Sequence, residues 1–197
     1  IPQAEHYVGN VQRDNGVRVA KWFIEHRPEG GKVAIIEGQA GVYAAVQRTD
    51  GFKSTISEGG KFEVVASVPG NWDRQTSYDA ATNILNQHPD LVGFYANNDG
   101  MALGIVEAVK AAGLQGKVAV FGTDGISDAY ASIKAGELTG TVDSFPVLTG
   151  EVALEAAPVE CDPRPERELD RVGLVGALRR ALDRRGDLIG LRDHALG

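Results

Sequence analysis

Strand-like and helix-like segments alternate five times between residues 9 and 157, and the connections between them are short. This alternation constrains the fold more than any other feature. A parallel strand can be reached only by a crossover, so repeated strand–helix units build a parallel sheet with helices on both faces. The crossovers run right-handed. The fold class expected is α/β, a doubly wound parallel sheet of about five strands.

The strand candidates are "KVAIIEG", "FEVVASV", "LVGFYA", "VAVFG" and the weaker "LTGTVDS". Continuous apolar runs of this length suit strands buried on both faces. The first helix is expected over residues 9–26, with Val17, Ala20 and Ile24 on its inner face. A second spans about residues 44–56. Asn71 or Asp73 caps a third, which carries Tyr78, Ala81 and Leu85 on one side. "NNDG" opens a fourth with Ala102, Ile105, Val109 and Ala112 on one face, and "TDGISDAYASIKAG" holds a turn and a fifth. Pro146 stands in the first turn of a sixth, "FPVLTGEVALEAA".

Composition removes several classes of function. The chain has 197 residues and a net charge of −7, without the basic stripe that a nucleic-acid surface needs. No apolar run approaches the ~20 residues of a membrane helix. The single cysteine, Cys161, excludes an internal disulfide and a cysteine-rich zinc site. His6, His26, His88 and His194 lie in separate segments, and no cluster has metal-ligand spacing. There is no nucleophile elbow, P-loop or GxGxxG motif. The chain is therefore not expected to be an enzyme, and no cofactor or metal is called for. The sequence begins at Ile1 without an initiator Met or a signal pattern, so a processed chain or a piece of a longer one is expected.

In open parallel sheets, ligands bind beyond the carboxyl ends of the strands. The segments that follow the strands here are "EGQAGVYAAVQR", "PGNWDR", "NND", "GTDG" and Asp143–Ser144. On one edge they bring together an Arg, a Trp, amides and carboxylates. That set suits a sugar: amides and carboxylates bond hydroxyls, a guanidinium donates to adjacent oxygens, and an aromatic ring covers a C–H face. Each residue also has a plainer reading. Trp72 suits core or a hydrophobic staple, Asn98 and Asp99 a helix cap, Asp124 a turn, and Arg48 a solvated helix face.

In combination, "EGQAGVYAAVQRTDGF", "PGNWDR", "NNDGMALGIVEAVKAAG" and "VAVFGTDG" resemble the sugar-binding periplasmic proteins of ABC transporters, most closely the ribose- and allose-type members. The resemblance runs in order from about Tyr7 to Ala157. It implies one lobe, mainly the C-terminal one, of a two-lobed protein that closes on a sugar. Residues 1–157 would be that lobe, with hinge crossings near 1–9 and 143–146, and an N-terminal lobe would complete the cleft. It also implies that Arg48 binds sugar oxygens, that Trp72 stacks on the ring, and that Asn98 and Asp124 bond hydroxyls. Ser144 stands where ribose-type members commonly carry a longer amide, and Tyr43 is larger than usual in its loop and narrows the cleft. The partners implied are a small sugar and a membrane permease, in a periplasmic or extracytoplasmic setting that includes a lipid-anchored form. Sugar-responsive repressors share the fold and form the alternative. They typically insert a "P-x-D-[IV]-[SA]-V" stretch, which "LQGKVAVFGTDG" lacks.

Residues 158–197 differ from the rest. All 7 Lys of the chain precede them, whereas 8 of its 13 Arg fall within them. "VGLVGALRRALDRRGDLIGL" suits an amphipathic helix through Leu174, Leu178 and Leu182 on a polar linker. A tail not native to the family is the other reading, and no function is assigned to it.

Overall fold

The structure is a computed structural model that describes residues 9–156. Residues 10–145 form one compact unit, and Pro146 begins a second. The expectations for residues 1–8 and for the Arg-rich tail lie outside the described residues.

The elements of the first unit are α1 (Gln12–His26), β1 (Gly31–Glu37), α2 (Tyr43–Ile56), β2 (Phe62–Pro69), α3 (Arg74–Gln87), β3 (Leu91–Ala96), α4 (Asp99–Ala111), β4 (Ala119–Asp124), α5 (Ser127–Lys134) and β5 (Gly140–Asp143). The five strands are all parallel, in the order β2-β1-β3-β4-β5. Pro146, with its φ preset for a first turn, opens α6 (Pro146–Ala156), which is described by itself.

The continuous apolar runs are explained by burial on both faces. In β1, Val33 and Ile35 enter one core cluster with α1 and α2, while Ala34 and Ile36 enter another with α3, α4 and α5. β3 divides the same way, with Tyr95 toward α1 and α2 and with Phe94 and Ala96 toward α4. Gly93 lacks a side chain where the ring of Phe23 crosses β3. Phe23 is fully buried and meets Phe52, Phe62 and Phe121 edge-on. Truncating such a ring costs ~3–5 kcal/mol.

The inner face of α1 differs from the sequence expectation. Val19, Ala20 and Phe23 are buried, whereas Ile24 is exposed. Helix-on-helix packing turns α1. A side chain at Gly16 would strike the backbone of Arg48 and Phe52, and one at Gly51 would strike that of Arg13, so α1 and α2 cross backbone to backbone. α1 also begins at Gln12 rather than at residue 9. In α4, Ala102, Ile105 and Val109 are buried as expected, but Ala112 is an exposed C-cap residue.

Candidate functional site

The strand order reverses direction between β1 and β3, because the crossover from β1 leads to one side and the next passes back over it. A crevice opens at the carboxyl ends of such a pair. Asn97, the first residue after β3, stitches it together. Its backbone N–H donates to Ile36 O at 3.0 Å. Its Oδ1 accepts from Gly38 N at 3.0 Å and from Thr49 Oγ1 at 3.2 Å. Among the described residues its Nδ2 is buried without a partner. Period-2 alternation along β3 continues past Ala96, which points Asn97 toward α2. The sequence reading did not single out Asn97, and this alternation is the signal that could have found it.

Arg48, on α2, lies over this crevice and is buried to 7% exposure. Its Nε donates to Gln12 Oε1 at 2.8 Å. Its Nη1 donates to Asn97 O at 2.5 Å and to Asp124 Oδ1 at 3.4 Å. Among the described residues, Nη2 has no partner. The solvated helix reading of Arg48 is thereby replaced by a harnessed guanidinium. Gln12 is a further residue that the sequence did not flag, since nothing in its neighbourhood marks it as other than a helix start.

Asp124 ends β4 with φ 130°, a conformation that side chains rarely adopt. Backbone of this kind persists only where its surroundings impose it, at a cost of ~1–3 kcal/mol. The imposing group is Asp99. Its Oδ2 accepts from Gly125 N at 2.8 Å and Ile126 N at 3.0 Å, and its Oδ1 accepts from Thr141 Oγ1 at 2.6 Å. Asp99 is fully buried, and burial raises its pKa against those hydrogen bonds. Asp99 is thus a brace beneath the β4–α5 turn rather than a cap. Asn98 is the cap, accepting from Met101 N at 2.9 Å through Oδ1, which leaves its Nδ2 unused by the cap.

The Asp124 carboxyl is pushed up to about 6, chiefly by burial, with the Arg48 charge opposing and the Asp99 charge adding to the shift. Ser144 supports the same turn from β5: its N–H and its hydroxyl both donate to Asp124 O, each at 3.2 Å.

Trp72 occupies an unusual turn. Asn71 and Trp72 have φ 54° and 63°, both left-handed. Asp73 N donates to Gly70 O at 2.9 Å, and the Asp73 carboxylate caps α3 by accepting from Thr76 N at 2.7 Å. The cap fixes the turn and thereby the indole, which is half-buried and lies against Gly38 at the end of β1. One side of Trp72 therefore packs on the core that holds α3 and α4.

Of the six residues expected from the sequence, four are linked through contacts, and Asn98 adjoins them along the chain. Arg48 meets Asp124, Ser144 holds Asp124, Asn98 follows the Asn97 that holds Arg48, and Trp72 lies on the Gly38 that Asn97 bonds. Tyr43 is apart from this network, 68% exposed on the first turn of α2. No group of acidic, His or Cys residues suited to a metal occurs among the described residues. What the edge offers is amide and guanidinium donors, carboxylates at the ends of β4 and β5, and an aromatic face.

A profile of the periplasmic binding protein domain matches residues 3–159. The D-allose-binding periplasmic protein of Escherichia coli (strain K12) is 42% identical over 155 residues, which are 75% of this chain and 50% of that protein. The ribose import binding protein of Salmonella typhimurium (strain LT2) is 36% identical over 153 residues, 76% of this chain and 51% of that one. Among solved structures, an ABC transporter periplasmic solute binding protein from Actinobacillus succinogenes 130z with bound D-allose is 39% identical with TM-score 0.73, over 76% of this chain and 52% of that one. The chain spans about half the length of the curated relatives it matches.

Proposed function

The chain belongs to the periplasmic binding protein family, and from that premise we propose that it forms one lobe of a monosaccharide-binding protein serving an ABC permease. One observation carries the reading. Among the described residues, a buried Arg48 at the strand-order reversal keeps one nitrogen unclaimed beside a carboxylate whose pKa stands at about 6. The relatives' names, D-allose-binding and ribose import binding, give the ligand class.

In this reading Arg48 Nη2 and Asn98 Nδ2 donate to sugar oxygens, and Asp124 accepts from a hydroxyl. Trp72 covers a C–H face, since an apolar wall with a few fixed polar groups is what a small polar ligand needs. Ser144 acts by holding Asp124, and Tyr43 borders the cleft. No bond is made or broken: the role is capture and delivery to a permease, in the periplasm or another extracytoplasmic compartment. A second lobe closes over the ligand, and residues 143–146 form one of the crossings to it.

A chain spanning half of its relatives offers about half of the contacts. A micromolar site is worth about −8 kcal/mol, so half of it gives roughly millimolar affinity. Titrating the chain with D-allose and D-ribose, read by tryptophan emission and amide NMR shifts, tests this. Shifts confined to the carboxyl edge with millimolar saturation are expected. No shift at about 100 mM of either sugar counts against the reading.

A further inference from the structure

Arg48 has five N–H donors in a rigid plane, and their partners are unevenly distributed. Nε is taken by Gln12 Oε1 at 2.8 Å. The two hydrogens of Nη1 are taken by Asn97 O at 2.5 Å and Asp124 Oδ1 at 3.4 Å. Only Nη2 remains. Gln12 is itself anchored, since its Nε2 donates to Asn10 Oδ1 at 2.5 Å. An arginine offers only donors, so the Gln12 oxygen must face Arg48 and its nitrogen Asn10. The amide orientation is therefore fixed by chemistry.

We propose that Gln12 is a positioning residue for the ligand seat, which locks the Arg48 guanidinium so that Nη2 alone faces the ligand. The inference rests on the reading of Arg48 as a ligand donor. Asn97 O grips the guanidinium at one nitrogen, and a planar group held at one nitrogen still swings about that point. The bond at Nε adds a second fixed point on the opposite edge of the plane, so the two partners together set its direction. Gln12 is the first residue of α1, and the Gly16 and Gly51 crossing holds α1 close enough to α2 for a glutamine to reach. The same contact links Asn10, where the compact unit begins, to the residue expected to carry the ligand.

The test reads the Arg48 Nε–H signal of the full chain by 15N NMR without ligand, assigned by its loss in Arg48→Lys. Gln12→Met keeps the length of the side chain and removes the acceptor. Gln12→Glu restores an acceptor. The wild type and Gln12→Glu are expected to hold a slowly exchanging Nε–H, and Gln12→Met to exchange it about tenfold faster or more, with the melting temperature little changed. Exchange in Gln12→Met within about twofold of wild type overturns the proposal. So does Gln12→Glu exchanging as fast as Gln12→Met. A wild-type chain whose Arg48 and Trp72 signals ignore D-ribose and D-allose strikes at the sugar reading instead, and the exchange comparison still decides what Gln12 does.

Discussion

The indole of Trp72 lies on the bare backbone of Gly38, and a methyl group at position 38 would collide with the ring. The contact joins the loop after β2 to the end of β1, on the edge where the strand order reverses. Gly38→Ala is expected to lift the ring, shift tryptophan emission to the red and cost ~1–3 kcal/mol as overpacking. Trp22 is the internal control. It packs on His26 and Phe121, and its Nε1 is buried without a partner among the described residues, so Trp22→Phe loses no hydrogen bond to them. Sugar-induced shifts should survive Trp22→Phe and vanish in Trp72→Ala. Equal effects of the two substitutions would make Trp72 structural only.

Asp124 gives the free protein an unusual pH dependence. Its pKa is raised to about 6 from the ordinary 3.8, so the folded state holds this proton more tightly than the unfolded chain does. Stability from this group is then greatest below about pH 4 and falls as the pH rises through 6. The carboxylate is about a third exposed, which limits the effect to the order of 1–2 kcal/mol. Asp124→Asn should flatten this slope and leave the ligand-free melting temperature at pH 7.5 unchanged or raised, while removing the sugar response. A melting temperature that falls sharply in Asp124→Asn at pH 7.5 would mark the carboxylate as a structural brace.

Asp99 should behave in the opposite way. Its carboxylate accepts from Gly125, Ile126 and Thr141 in a fully buried setting. Asp99→Ala leaves those donors unpaired, at ~2–4 kcal/mol. For a unit of this size that lowers the melting temperature by roughly 5–15 °C. Calorimetry on both variants side by side separates the brace from the ligand carboxylate.

The harness on Arg48 also predicts which ligands fail. A carboxylate is held best by two parallel N–H donors from different nitrogens of a guanidinium. With Nε and Nη1 engaged, Arg48 has no such pair to present, and ionised Asp124 repels an anion. At pH 8, D-ribonate is expected to bind at least about tenfold more weakly than D-ribose in parallel NMR titrations. Equal affinity would show that the ligand meets a freed guanidinium.

What the sequence made legible follows from local physics. Strands buried on both faces announce themselves as continuous apolar runs, and a parallel sheet gathers the loops after its strands on one edge. Asp73 and Asn98 could be read as caps because capping is a contact within one turn. The roles of Gln12 and Asp99 were not legible, because each depends on partners 36 and 42 positions away. The face of α1 was misread for a related reason. The 3.6-residue period allows several stripes, and the helix's own residues do not say which one the Gly16 and Gly51 crossing selects. Tyr43, read as narrowing the cleft, stands exposed on the first turn of α2.

The α1–α2 crossing carries a consequence for how such a chain diverges. A side chain at position 16 would press on the backbone carbonyl of Arg48 itself, and one at position 51 on that of Arg13, one residue from Gln12. Substitution at either glycine would spread the helices and loosen the grip on the guanidinium. Ligand affinity is therefore open to drift at two positions that no ligand could touch, and a lineage could retune its preference there while every residue at the carboxyl edge stayed the same.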